Sequence, residues 1–277
     1  MRYLPLSIAA AFLLAGGSVS SARLPQAPAT SSEGLVSAAD PRAADAGAEV
    51  LRAGGNAMDA AIATLLALNV VEPQSSGIGG GGYILFSDGG AAPLTYDGRE
   101  TAPAAATPDW FLVDGRPMGR EAQLGGKSVG VPGNIRMIAL AHSKHGKLAW
   151  AKLFEPAIRL ARDGFRVTQR LHDSLNANRR TGAHSAQARA MFYGPDGNAL
   201  PVGTLVRNPA FANFLKRVAS EGPDGFYLGS NARAIAAATV TSAVNPSLMT
   251  AIGLPPAARS CSAAKPRPSA IGTPRTP

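Results

Sequence analysis

Residues 40–61 read DPRAADAGAEVLRAGGNAMDAA, a stretch that encodes the start of two consecutive helices. Asp40 is a favourable N-cap residue, and Pro41 has the backbone geometry of a first helical turn. Two glycines, at positions 54 and 55, provide a stop signal. The pattern therefore predicts a first helix that begins at Pro41 and ends near Ala53.

The second helix is predicted from its cap. Asn56 can accept a hydrogen bond from the first turn, and Asp59 three residues later completes an Asn/Asp version of the capping box. Apolar side chains then occur nearly all round the helix, at Ile62, Leu65, Leu66, Ala67 and Val70. Such a helix is expected to be buried between layers, and Pro73 prevents its continuation.

The downstream sequence alternates between strand and helix signals. Two β-rich runs, YILF at 83–86 and PLTY at 93–96, flank a DGG turn and predict a hairpin. Further helices are predicted at 134–144, 151–163 and 208–220, with glycines at 146, 164 and 222 marking their ends. Helices, a hairpin and more helices predict an α+β layered domain rather than a parallel βαβ sheet.

Composition excludes several classes of protein. The chain has 277 residues, of which 45% are hydrophobic and 16% charged, so it is not a wholly disordered protein. The net charge is +9, but residues 252–277 contribute +4 and residues 1–22 contribute +1, so only +4 remains for 23–251. Without basic clusters and interleaved aromatics, no nucleic-acid partner is expected. Cys261 is the single cysteine, which excludes a disulfide framework.

The N-terminus has the pattern of an export signal. Residues 1–22 begin with a basic residue, continue with an apolar run at 3–15 and finish with small residues, among them Ser20 and Ala22. This pattern predicts a signal peptide and a secreted or periplasmic protein; a buried N-terminal helix is the alternative. Residues 23–33 are predicted to be a flexible lead-in. No apolar run reaches the ~20 residues of a spanning helix, so no membrane span is expected.

The C-terminal end differs in composition from the rest of the chain. Residues 252–277 contain six prolines and four basic residues, with no acidic residue and no helix or strand period. They are interpreted either as a genuine basic tail or as an out-of-frame, non-native end.

Two glycine motifs resemble nucleotide-binding loops. The run Gly77 to Gly82 follows a helix and enters a strand, which is the reverse of the order in a dinucleotide site. It is therefore predicted to form a tight turn where backbones pack closely. The GKS sequence at 126–128 lacks the earlier glycine of a phosphate loop, since that position is Glu121.

The histidines do not form a metal-binding pattern. His142 and His145 are three residues apart near a helix end, but the sequence contains no HExxH motif and no evident third ligand. They are predicted to lie at a solvated helix end, and His172 and His184 are assigned no role. No metal or other cofactor is expected.

Arg99 is the one candidate substrate-binding residue. It lies in YDGRETAP at 96–103, just beyond the predicted hairpin. An arginine at a strand exit can hold a carboxylate through two parallel N–H···O bonds. The alternative is an ordinary surface ion pair with Glu100.

Seven motifs in order resemble one known family, the γ-glutamyltransferases (γ-glutamyltranspeptidases or glutathione hydrolases). The resemblance covers residues 34–251, and seven ordered motifs make it specific. The motifs are GLVSAADP (34–41), GGNAMDAA (54–61), GIGGGGY (77–83), DGRETAP (97–103), VGVPG (129–133), LARDGF (160–165) and GPDGFY (222–227).

The resemblance implies a fold and a chemistry. Members of this family are N-terminal-nucleophile hydrolases with stacked α, β, β, α layers, made as a precursor that cuts itself into a large and a small subunit. The N-terminal threonine of the small subunit attacks the γ-glutamyl amide of glutathione, and the glutamyl group passes to water or to an amino acid or peptide. The arginine of the family's Arg-Glu-x-Ala-Pro segment binds the α-carboxylate, and Arg99 occupies that position.

The sequence also departs from the family. The nucleophilic threonine lies in a Thr-Thr-His-x-Ser-like segment, and no Thr-His dipeptide occurs in these 277 residues. We therefore expect a large-subunit region with incomplete αββα layers, truncated or frameshifted after residue 251, without catalytic residues of its own and inactive alone. The alternatives are a non-catalytic γ-glutamyl-binding or scaffold fragment, and an acylase acting on another amide such as a cephalosporin side chain or poly-γ-glutamate.

Overall fold

The computed structural model describes residues 34–90, 92–104, 106–119, 122, 124 and 126–241. The predicted signal peptide, the lead-in at 23–33 and the tail at 252–277 lie outside these residues. Among the described helices, none has the length and apolar character needed to cross a membrane.

Helices α1 (Pro41–Arg52) and α2 (Ala57–Val71) confirm the opening prediction. The Asp40 side chain accepts the N–H of Arg42, and Asn56 and Asp59 form a complete capping box. The two helices pack against each other, and buried side chains occur on all sides of α2, as its apolar pattern predicts.

The predicted hairpin is formed by β1 (Tyr83–Phe86) and β2 (Leu94–Asp97), which pair antiparallel with Tyr83 opposite Asp97. Because side chains alternate across a strand, Ile84, Phe86 and Tyr96 share the inner face and pack on the core. Tyr83 and Leu85 lie on the opposite face and are exposed.

The three further predicted helices, at 134–144, 151–163 and 208–220, are present as α3, α4 and α8 to within a few residues, whereas α5, α6, α7, α9 and α10 were not predicted. A 3-10 helix, Trp150–Phe154, precedes α4 because Pro156, which has no N–H to donate, suits the first turn of an α-helix. The helices are α3 (Asn134–His145), α4 (Glu155–Asp163), α5 (Gln169–Ala177), α6 (Arg179–Gly182), α7 (Ala186–Phe192), α8 (Pro209–Glu221), α9 (Asp224–Tyr227) and α10 (Gly229–Thr241).

The fold is a mixture of helix and strand, as predicted. The strands that the structure describes form three two-stranded antiparallel sheets: β1 with β2, β3 (Leu112–Val113) with β4 (Arg116–Pro117), and β5 (Phe165–Arg166) with β6 (Leu205–Val206). The core lies between helices, where Leu66, Ile138, Phe154 and Leu215 are fully buried. The hairpin covers one side of this helical core.

Candidate functional site

The glycine run holds the Arg99 segment against the start of α3. Gly82 and Gly98 exchange two backbone hydrogen bonds, of 3.3 and 2.9 Å. The carbonyl of Gly80 accepts the N–H groups of Gly133 and Asn134, both at 3.1 Å. A protein carbonyl therefore occupies the N-terminus of α3, where a phosphate would bind in a nucleotide site.

Two glycines are required here by close approach. A Cβ atom added to Gly81, or to Gly133, would clash with the carbonyl oxygen of Gly98. These contacts confirm the prediction that the glycine run serves backbone packing. They also place the end of β2 and the residues after it in a defined position.

Arg99 leaves this junction and lies on the wall of a cleft of about 540 Å³. The Asp97 carboxylate accepts the backbone N–H of Arg99 at 2.8 Å, which turns the chain at the end of β2. The other walls are formed by residues between 106 and 111 and by 127–130. The backbone N–H of Val131 donates a 2.8 Å hydrogen bond to the carbonyl of Thr101. This bond joins the segment that contains Arg99 to the segment that follows Lys127.

The Arg99 side chain is 55% exposed, and its Nη1 lies 3.3 Å from Oε2 of Glu100. The surface ion pair weighed from the sequence is therefore present. It engages one nitrogen of a guanidinium that has five N–H donors in a planar fork. An exposed pair of this kind contributes little to stability, so exchanging Glu100 for a substrate carboxylate would cost little. The substrate-binding role of Arg99 stays a prediction.

The sequence reasoning missed the cleft wall that contains Trp110 and Lys127. Residues Gly126–Ser128 form a 3-10 helix, not a phosphate loop, and Gly126 packs against the backbone of Thr239. The Trp110 indole donates to the carbonyl of Lys127 at 2.9 Å, and the Lys127 ammonium donates to the carbonyl of Trp110 at 3.2 Å. Only the GKS sequence drew attention to this segment, and it suggested a different ligand.

The positive charge of Lys127 interacts with a neighbouring carboxylate, that of Asp109. The hydrogen bond from the Thr107 hydroxyl lowers the pKa of Asp109, and the positive charge of Lys127 adds to the effect. Asp109 is fully exposed and does not line the cleft. Lys127 therefore has an acidic neighbour in solvent and faces the cleft with its half-buried side chain.

The prediction of a solvated helix end was wrong for His142 and His145. The His145 ring stacks on Phe86 with centroids 4.0 Å apart, and its Nε2 lies 2.6 Å from the Tyr96 hydroxyl. His142 Nε2 lies 2.9 Å from the carbonyl of Leu148. The hairpin covers His145 and Trp150 packs against His142, so both rings are half-buried. In the described part of the chain, no cluster of three His, Cys, Asp or Glu residues could hold a metal.

The other two histidines lie away from the cleft. His172 Nδ1 is 2.9 Å from the carbonyl of Leu200, and the backbone of His184 takes part in a turn after α6. These contacts tie helix ends to loops, and neither ring lines the Arg99 cleft.

A second cavity, of about 750 Å³, lies between α2, α3 and β1. Its walls include Ala61 and Leu65 of α2, Met137 of α3 and the exposed residues Tyr83 and Leu85 of β1. The lining is largely apolar and contains backbone of the glycine run. It has the character of a contact surface more than of a polar binding site.

The loop that borders this cavity is held by a buried carboxylate. Glu72, 1% exposed, caps α2, and its Oε2 accepts hydrogen bonds from Gln74 at 2.8 Å, Ser75 at 3.0 Å and Arg170 at 2.9 Å. Three donors on one oxygen compensate for burial of the charge. The loop between α2 and the glycine run is fixed as a result.

Comparisons with known proteins agree with the family resemblance of the seven sequence motifs. The family model described as Gamma-glutamyltranspeptidase matches residues 43–251. Scoloptoxin SSD14 of Scolopendra dehaani is 44% identical over 192 residues, which are 69% of this chain and 33% of that protein. The glutathione hydrolase proenzyme of Escherichia coli (strain K12) is 35% identical over 244 residues, 83% of this chain and 42% of that one.

A solved structure has the same fold. The crystal structure of Helicobacter pylori gamma-glutamyltranspeptidase is 31% identical with a TM-score of 0.71, covering 75% of this chain and 60% of that one. The chain thus spans about a third to two fifths of the length of the curated relatives and only part of the enzyme fold. The extent of these matches shows that the chain belongs to the γ-glutamyltranspeptidase family.

Proposed function

We propose that this chain is the donor-binding, large-subunit part of an enzyme that hydrolyses or transfers γ-glutamyl groups. The observation that carries the proposal is the half-exposed guanidinium of Arg99, which lies on the wall of a cleft in the family's Arg-Glu-x-Ala-Pro segment. A γ-glutamyl compound such as glutathione offers a free α-carboxylate, and a guanidinium can bind it through two parallel hydrogen bonds.

The attacking group is proposed to come from a second polypeptide. Acyl transfer needs an activated hydroxyl and donors for the developing oxyanion. In the family the hydroxyl belongs to the N-terminal threonine of the small subunit, whose Thr-His sequence does not occur here. The E. coli relative is named a proenzyme, in keeping with two subunits made from one precursor. The acceptor would be water, an amino acid or a peptide.

The hairpin provides a suitable surface for that subunit. Tyr83 is 63% exposed and Leu85 is 73% exposed on the outer face of β1, next to the cavity of about 750 Å³. Exposed apolar side chains on one face of a strand are typical of a surface that packs against another chain. In this family, central strands of the two subunits interleave, and we propose that the small subunit covers this face.

We also propose that the protein is exported to the periplasm or the medium. The support is the pattern of residues 1–22, with its basic start, apolar run and small-residue exit. Mass spectrometry of the protein from fractionated cells would test it. A mature chain that begins at Arg23 is expected, whereas a cytoplasmic chain that retains residues 1–22 would contradict export.

Binding and turnover test the proposed function separately. Calorimetry with glutathione should show binding, and Arg99→Ala should weaken it by about tenfold or more, since a hydrogen bond to a charged group contributes ~1.5–3 kcal/mol. Arg52→Ala, an exposed arginine outside the cleft, is the matched control. Equal affinity of wild type and Arg99→Ala would contradict the role of Arg99.

A chromogenic γ-glutamyl anilide then tests where the nucleophile lies. The chain alone should give no turnover, and adding the small subunit of a relative should restore it. Turnover by the purified chain alone would contradict a nucleophile on another polypeptide. Binding that never leads to turnover with any small subunit would favour the alternative of a non-catalytic γ-glutamyl-binding protein.

A further inference from the structure

We infer that Lys127 forms a second anion subsite in the Arg99 cleft, one that favours γ-glutamyl donors whose leaving amine carries its own carboxylate. This inference rests on the proposed function of Arg99, and it extends that function from the glutamyl head of the donor to its tail. The chemical class selected is an anionic γ-glutamyl peptide, in preference to a γ-glutamyl amide with a neutral tail.

The position of Lys127 is fixed by its reciprocal hydrogen bonds with Trp110. The indole N–H donates to the lysine carbonyl at 2.9 Å, and the ammonium donates to the tryptophan carbonyl at 3.2 Å. The ammonium also lies 5.6 Å from the centre of the indole ring, within cation–π range. A lysine held in this way loses less conformational entropy on binding a ligand than one that extends freely into solvent.

Arg99 and Lys127 line the same cleft on different chain segments. Arg99 follows β2, and Lys127 belongs to the 3-10 helix Gly126–Ser128, which lines the same cleft. The volume of about 540 Å³ is within the usual range for small-molecule sites. Among the described residues of the lining, these two are the cations and Glu100 is the acid. The cleft thus offers two cationic groups to a ligand that carries two anionic groups.

The chemistry of the two cations differs in a useful way. The guanidinium fork matches a carboxylate in two contacts, while an ammonium is a point charge with three donors, one of which contacts the Trp110 carbonyl. A second carboxylate on the ligand can therefore bind the remaining donors. This carboxylate would compete with Asp109 for the Lys127 ammonium. The Asp109 carboxylate is fully exposed, so solvent screens its attraction to Lys127.

The test compares two ligands that differ only in tail charge. γ-L-Glutamylglycine has a carboxylate at its end, and γ-L-glutamylglycinamide has a neutral amide. By calorimetry at low ionic strength, the full chain should bind the acid about three- to tenfold more tightly than the amide, as expected for a partly exposed charge pair. Lys127→Met should remove this preference while leaving affinity for the amide within about twofold.

Control variants separate this inference from the proposed function. Lys127→Arg should keep the preference, and Lys152→Met, which removes a lysine paired with Glu155 outside the cleft lining, should not change it. Arg99→Ala should weaken both ligands to a similar extent. Near-ultraviolet circular dichroism, to which Trp110 and Trp150 both contribute, reports whether Lys127→Met keeps the fold.

Each outcome decides between the two claims. Equal affinity for acid and amide in the wild type, with both ligands weakened by Arg99→Ala, would overturn the Lys127 subsite and leave the proposed function standing. Failure of both ligands to bind would overturn both. If Lys127→Met still prefers γ-L-glutamylglycine over its amide, the preference arises from another group and the Lys127 subsite is overturned.

Discussion

The Asp59 carboxylate lies 3.0 Å from the backbone nitrogen of Lys147, a residue 88 positions further along the chain. The same carboxylate accepts the N–H of Leu148 at 3.1 Å and, within the capping box, the N–H of Asn56 at 3.1 Å. Asp59 is fully buried. One side chain therefore caps α2 and also binds the loop that follows α3.

Replacing Asp59 with alanine should destabilise the protein by about 3 kcal/mol, because it removes a cap and leaves the N–H groups of Lys147 and Leu148 without their acceptor. Asp59→Asn should cost less, since an amide oxygen can still accept. Denaturant unfolding measures both, with the exposed Asp45→Ala as control. An unfolding midpoint for Asp59→Ala equal to that of Asp45→Ala would contradict the role of Asp59 in joining α2 to the loop after α3.

Alanine at Gly81 should destabilise the chain by several kcal/mol, whereas alanine at Gly79 should change stability by less than about 1 kcal/mol. A Cβ at Gly81 meets the backbone of residues 98–100, and a Cβ at Gly79 meets nothing within 4 Å. Both positions belong to the same glycine run, so Gly79→Ala is the matched control for Gly81→Ala. Thermal melting distinguishes them, and equal melting temperatures would refute the close-packing explanation.

Removing Arg170 should cost about 1–2 kcal/mol. Its side chain is 61% exposed, but the Glu72 side chain is buried and keeps only the Gln74 and Ser75 donors once the guanidinium is gone. Arg180→Ala, also on the surface, is expected to be neutral. Chemical denaturation tests the difference; a neutral Arg170→Ala would mean that the carboxylate does not depend on this pair.

Alkaline pH should weaken the fold through Tyr227. Burial raises the pKa of this phenol above its ordinary value of 10.0, and its hydroxyl donates to the carbonyl of Pro132 at 2.8 Å. Above about pH 10 the unfolded chain loses this proton first, so the contribution is complete below pH 10 and is lost as pH rises through the folded pKa.

The variant Tyr227→Phe should therefore lose less stability than the wild type between pH 9 and 11, although it starts about 1 kcal/mol lower without its hydrogen bonds. Tyr96 and Tyr193, whose pKa values are also raised by burial, should keep part of the slope. Melting curves across this range are the measurement, with exposed Tyr83→Phe as control. An unchanged slope in Tyr227→Phe would refute the assignment.

Local signals account for the parts of the fold that sequence reasoning predicted. The caps at Asp40 and Asn56, and the glycines at 146, 164 and 222, act within a few residues of the helix ends that they mark, so they can be recognised in a linear sequence. The start of α4 was placed slightly early because the 3-10 helix before it has a similar local pattern.

The candidate site was predicted only in part. Arg99 was found from its place after a strand and from a family motif, but Lys127 and Trp110 were not, because neither has a motif that indicates a cleft. The histidines of α3 were misjudged for the same reason. Phe86 and Tyr96, which cover His145, are some 50 to 60 residues away in sequence.

By itself, then, the sequence predicted the α+β class, the family, the ends of the capped helices and Arg99 as the candidate for binding a carboxylate, since these depend on neighbouring residues and ordered motifs. The tertiary structure decided which backbones touch at Gly81, Gly98 and Gly133, that Asp59 binds a distant loop, and that Lys127 faces the cleft of Arg99. Those relationships join residues separated by tens of positions. Packing of the whole chain sets their distances, and no local pattern encodes them.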